Sequence, residues 1–172
     1  MTKWLCGLCI LLAFSCASAS PQTTYLHRFQ AYWAWSQKTT PITPNLAFFK
    51  FIQANKPLSL KLREKWLYQL ASQKEWALFN RYYQPTPQLA LQCYHGLAQH
   101  ALGQPQAAFA TARALFMSGE TRPFACQTLF TLWQRAPGFN ESLLLDRLIL
   151  ALNHNNLPLV RYLLTQFHRP HP

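Results

Sequence analysis

The stretch from Leu115 to Trp133 constrains this chain more than any other, because it reads as a helix end, a tight turn and a helix start around a cysteine. It runs Leu115-Phe116-Met117-Ser118-Gly119-Glu120-Thr121-Arg122-Pro123-Phe124-Ala125-Cys126, then Gln127-Thr128-Leu129-Phe130-Thr131-Leu132-Trp133. Gly119 suits the left-handed position after a last turn, Thr121 can cap the next helix, and Pro123 is tolerated in its first turn. Cys93 lies one helical hairpin upstream of Cys126.

The N-terminus reads as a secretory signal. Lys3 forms a positive n-region, Trp4 to Phe14 an apolar segment too short to span a bilayer, and Ala17-Ser18-Ala19 a small-x-small cleavage pattern. Residues 1–19 are therefore expected to leave an exported chain that begins at Ser20 and is not an integral membrane protein. The rival readings are an uncleaved anchor and a lipoprotein signal with Cys16 as the lipidated residue, although Phe14 is bulky where a small residue is usual. Cleavage removes Cys6, Cys9 and Cys16 and keeps Cys93 and Cys126, which in an exported domain read as one disulfide. The alternative is two buried free thiols. A bridge over this separation would contribute roughly 3–4 kcal/mol. The formal net charge is +11, and loss of Lys3 lowers it by one. That balance favours an anionic polymer or membrane surface as partner, export disfavours nucleic acid, and the scatter of the basic residues also fits a merely solubilising surface.

Beyond the signal, apolar residues recur at helical spacing, with almost no alternating strand pattern. Tyr25 to Lys38 reads as the first helix, and Thr43-Pro44 as the cap and first residue of one through Ala54. Asn55-Lys56-Pro57 breaks it. Ser59 to Ser72 sets Leu62, Trp66, Leu67 and Leu70 on one face, and a short helix with Trp76, Leu78 and Phe79 ends near Pro85. Thr86-Pro87 opens a helix with Leu89, Cys93, Gly96 and Leu97, closed by Gly103; Pro105 opens the next, with Ala108, Ala112, Leu115 and Phe116. The Cys126 helix runs to about Arg135, before Pro137-Gly138. Asn140 caps a helix apolar through Leu144, Leu145, Leu148, Ile149 and Leu152, and a last helix runs from Pro158 to about His168. Small residues such as Gly96, Ala101, Ala107, Ala108 and Ala112 would let neighbouring helices approach closely. The pattern predicts an all-α domain over residues 20–168, with a tail at 169–172. Its stacked antiparallel hairpins would form a partial superhelix, a tetratricopeptide-like solenoid, with a plain bundle as the competing architecture.

On the residues of the Leu115 to Trp133 run, together with Cys93-Tyr94, the chain resembles the N-terminal U-shaped helical domain of the soluble lytic murein transglycosylases. That family shows a similar turn, small-Gly-x-x-x-Pro-x-Ala-Cys, before a Leu-Phe-x-x-Trp helix. Phe51 to Asn55 and Leu70 to Trp76 match as well, so the likeness covers roughly residues 45 to 166. The resemblance implies a periplasmic setting, an α-superhelix and peptidoglycan, whose glycan strands the family's enzymes cleave. Their catalytic glutamate lies in a C-terminal lysozyme-like domain, in a Glu-Ser motif followed by Gly-Leu-Met-Gln. Here Glu141-Ser142 copies two letters only and is followed by Leu143-Leu144-Leu145-Asp146-Arg147. Glu141 reads instead as a first-turn acid complementing the helix dipole.

Other chemistry finds little support. Glu141 and Asp146 fall on different sides of a helix, so they do not flank one bond. His95 and His100 miss the spacing of two ligands on one helical face, His168 and His171 lie in the tail, and no phosphate loop or nucleophile signature occurs. Neither metal, cofactor nor catalytic residue is expected. Tyr32, Trp33, Trp35, Trp66, Tyr82 and Tyr83 either fill helix interfaces or stack on sugars, and Arg81-Tyr82-Tyr83 is the first candidate for glycan contact. The expected role is non-catalytic binding of peptidoglycan or another cell-wall protein, including a separately encoded catalytic domain. The alternatives are a subunit of a split transglycosylase, a protein-binding adaptor, and a truncated remnant.

Overall fold

The computed structural model describes residues 21–37, 42–54 and 56–167. The signal segment with Cys16, and the tail at 169–172, lie outside these residues. Among the described residues the chain forms nine α-helices and no strand. They are α1 (Pro21–Ser36), α2 (Leu46–Gln53), α3 (Pro57–Ser72), α4 (Trp76–Tyr82), α5 (Leu89–Ala101), α6 (Pro105–Phe116), α7 (Ala125–Gln134), α8 (Glu141–Asn153) and α9 (Leu157–Leu164). No described helix is long and apolar enough to cross a membrane.

Local chemistry sets most boundaries. Asn45, Asn140 and Asn156 each accept a backbone N–H of the first turn on a side-chain oxygen, from Phe48, Leu143 and Leu159 at 2.9, 3.2 and 3.3 Å. Pro57, Pro105 and Pro158 occupy first turns, where a missing N–H costs nothing. Gly103 and Gly138 take φ of +78° and +97°, the left-handed region that glycine enters without penalty.

Three expectations about ends are corrected. Asn45, not Thr43, caps α2, so Pro44 precedes the cap. Thr86 does not open α5. Its hydroxyl donates to Glu64 at 2.6 Å and accepts the Gln88 N–H at 3.2 Å, and the helix starts at Leu89. The turn before α7 is built differently too. Gly119 is not left-handed, and Thr121 is not a cap, since α7 opens at Ala125 behind Phe124 without a side-chain cap. What Gly119 supplies is room: a Cβ there would sit 2.3 Å from the Leu150 carbonyl oxygen of α8.

The helices stack as successive hairpins in a superhelix. α3 packs on α1, α2 and α4, while α5 packs on α6 and, across the stack, on α7. Gly96 permits that last approach, because a Cβ on it would meet Leu129 at 2.6 Å. The disulfide Cys93–Cys126 joins α5 to α7 with the Cα atoms 4.9 Å apart, and both cysteines are fully buried. One apolar cluster gathers Phe48, Ile52, Leu62, Trp66, Leu67 and Phe79, and a second gathers Phe116, Leu129, Phe130, Trp133, Leu144 and Leu163. Edge-on ring pairs lock both, as between Phe48 and Trp66 at 5.2 Å and between Phe116 and Phe130 at 5.2 Å. Of the small residues, Gly96, Ala108 and Ala112 are buried, whereas Ala101 and Ala107 are exposed.

Candidate functional site

Helix α8 is apolar almost all round, so its sequence leaves the buried face open. The fold buries Leu143, Leu144, Arg147 and Ala151 and leaves Leu145, Ile149 and Leu152 exposed. A guanidinium therefore enters the core. Arg147 is 3% exposed, and its charge lies over the Phe116 ring at 4.2 Å and the Phe130 ring at 5.4 Å. Its Nε is buried without a hydrogen-bond partner. Desolvation first and neighbouring Arg122 second, partly opposed by Tyr162, together bring the guanidinium down to about 10.

Arg147 lines a pocket of about 220 Å³ beneath the turn before α7, walled by α7, α8 and α9. The other walls are Thr121, Arg122, Pro123, Gln127, Phe130, Pro158, Leu159 and Tyr162, with no carboxylate among them. Arg122 is fixed from outside: its Nε donates to the Leu115 carbonyl at 2.8 Å and Nη1 lies 3.6 Å from the solvent-facing Glu120 carboxylate. Asn156 holds the turn to α9, donating from Nδ2 to the Gly119 carbonyl at 3.0 Å and to Thr121 Oγ1 at 3.3 Å. The sequence reading overlooked this pocket. Arg147 does stand at helical spacing from Leu143, Leu144 and Ala151, but Leu145, Leu148, Ile149 and Leu152 offer other apolar faces, so spacing alone does not single it out.

The residues singled out for glycan contact divide. Arg81 is exposed and lies 5.7 Å over the Tyr82 ring, and the two line a polar hollow of about 260 Å³ with Gln53, Arg63 and Gln84. Tyr82 is half-buried, its ring packed on Phe49 and Trp66. Tyr83 turns elsewhere, stacking on Phe79 and on His95, whose ring lies 4.0 Å away and whose proton affinity burial lowers. A further hollow of about 390 Å³ between α1 and α3 gathers Tyr25, Arg28, Lys56 and Lys61, again without an acid in its lining. Tyr25 is exposed there, and Arg28 is anchored by donating to Ser59 Oγ at 2.6 Å. Glu141 is exposed in the first turn of α8. The described residues contain no cluster of three potential metal ligands.

No family model matches the chain. Over 127 residues, 72% of its length, it is 32% identical to the soluble lytic murein transglycosylase of Salmonella typhimurium and 30% identical to that of Escherichia coli K12. The 70 kDa soluble lytic transglycosylase of Escherichia coli superposes with a TM-score of 0.74 at 25% identity, covering 82% of this chain and 23% of that one. The chain is related to the soluble lytic murein transglycosylases. The transglycosylase Slt of Pseudomonas aeruginosa superposes with a TM-score of 0.71 at 29% identity, over 86% of this chain and 24% of that one. The chain spans about a fifth of the length of its curated transglycosylase relatives. The all-helical superhelix is thus shared with that part of a transglycosylase.

Proposed function

We propose that this helical superhelix is a periplasmic, non-catalytic module that binds peptidoglycan. In this reading residues 1–19 are the export signal and residues 20–168 the binding domain. The observation that carries it is the likeness at 30–32% identity to proteins named for acting on murein. The hollow between α1 and α3 supports direct contact, because an exposed tyrosine beside three cations offers a sugar-stacking surface and charge for an anionic polymer. Arg81 over Tyr82 is the second contact of the same kind.

The test is co-sedimentation of the oxidised chain with purified sacculi at low and moderate salt. Binding that survives moderate salt and falls in a Tyr25→Ala, Lys61→Gln double variant is expected. A chain that stays in the supernatant at both salt levels would sink the role. A second reading, a subunit that docks a separate cell-wall catalytic domain, is favoured by the exposed Leu145, Ile149, Leu152, Leu157 and Leu164 of α8 and α9. It predicts sedimentation only when such a protein is added.

A further inference from the structure

Arg147 poses a problem of charge. A buried guanidinium is normally paired, because desolvating an unpaired ion costs several kcal/mol. Here the side chain is 3% exposed, Nε has no partner, and no carboxylate pairs with it among the described residues. The charge that perturbs it most is another arginine, Arg122. The guanidinium carbon of Arg147 lies over the Phe116 and Phe130 rings, and its hydrogen-bonding capacity lies in the N–H groups at the edge of its plane. An unpaired cation held in a walled pocket is the arrangement of a binding site whose anion comes from outside.

We propose that the pocket between α7, α8 and α9 binds a single carboxylate carried on a small aliphatic body, with Arg147 as its counter-ion. Three features narrow the ligand. Arg122 is already shared with Glu120, so two arginines less one carboxylate leave one net positive charge, matched to a monoanion. The planar guanidinium edge fits a carboxylate bidentately, and Gln127, Thr121 and Tyr162 add polar groups around the rim. Pro123, Phe130, Pro158 and Leu159 supply apolar walls, which suit a short hydrocarbon rather than a hydrated inorganic ion. Size sets the last limit. At about 220 Å³ the pocket is smaller than the roughly 300–1,000 Å³ of drug-sized ligand sites, so it holds one small acid or one terminal residue. Two sources share this chemistry, a free short-chain acid and the C-terminal carboxylate of a peptide. The assignment stands apart from the peptidoglycan reading, since sacculi can be held at α1 and α3 whether or not this pocket is filled.

The test is calorimetric titration of the oxidised chain, at constant ionic strength, with N-acetylalanine, its neutral amide, propionate and inorganic phosphate. Saturable binding of N-acetylalanine is expected, weakened roughly tenfold or more in the amide and in Arg147→Met, the value of one charge-assisted hydrogen bond. Propionate binding as well as N-acetylalanine assigns the pocket to a free acid, and a preference for N-acetylalanine assigns it to a peptide end. Equal binding of acid and amide, phosphate binding as tightly as the acid, or an undiminished Arg147→Met response overturns the proposal. The acid-to-amide comparison needs no variant, so it decides the matter even where a substitution perturbs the fold.

Discussion

Replacing Arg147 by Met should make the domain more stable, and the size of the gain follows from the pocket. Burial, with a smaller contribution from Arg122, lowers the guanidinium to about 10, roughly two to three pH units below an ordinary arginine. At 1.36 kcal/mol per pH unit that disfavours the charged native form by about 3 kcal/mol. Against this stands the attraction to the Phe116 and Phe130 rings, worth about 1–2 kcal/mol at a desolvated site. Methionine keeps an unbranched stem on the same rings and removes the charge. The net expectation is a gain of about 1–2 kcal/mol, or about 2–8 °C in Tm for a domain of this size. Calorimetric melting of the oxidised parent and variant, in buffer free of carboxylates, measures it. The pH dependence gives a second check. The arginine is protonated in both native and unfolded chains below about pH 10, so the difference should be flat between about pH 6 and 9. Above that range the native group loses its proton first, and the parent regains the deficit. A variant that melts at or below the parent would refute the reasoning, because the guanidinium would then have found full compensation in the native state.

Reducing Cys93–Cys126 should lower Tm by about 6–16 °C, from a loss of roughly 3–4 kcal/mol, and oxidised and reduced chains that melt alike would contradict it. Gly119→Ala should cost about 2–3 kcal/mol in urea unfolding, because its Cβ meets the Leu150 carbonyl, a backbone atom that cannot swing aside. Gly103→Ala meets open space and should cost only the left-handed backbone penalty of about 1–2 kcal/mol. Asn140→Ala should cost about 1 kcal/mol by exposing the first turn of α8, read in the same urea titration. Burial lowers the proton affinity of His95, which stacks on Tyr83, so the unfolded chain binds that proton first as pH falls below about 6.5. Stability should decline in that window and level off, without recovering, below the folded value, and His95→Phe should flatten the decline in Tm measured from pH 7.5 to 5.

The sequence by itself determined the helices. Pro105 and Pro158 at first turns, Gly103 and Gly138 at breaks and Asn140 as a cap act through bonds and dihedrals within a few residues, so they are legible without the fold, whereas Pro44 and Pro87 imitate the same signal outside a first turn. The same holds for the face of α3, where Leu62, Trp66, Leu67 and Leu70 recur at helical spacing and the opposite side is polar. Where a signal needed a distant neighbour, the sequence misled. Gly119 looked like a left-handed helix stop, yet it is small because the α8 backbone passes against it. Tyr82 and Tyr83 looked like one aromatic pair, yet their rings diverge into different packings. Helix α8 is the clearest case. Its leucines ring the helix, so periodicity offers several burial faces of similar apolarity, and only the rings of Phe116 and Phe130 make the one containing Arg147 acceptable. Helix formation is a matter of contacts three or four residues apart, but which face is buried is fixed by side chains from α6 and α7, and that choice created the arginine pocket.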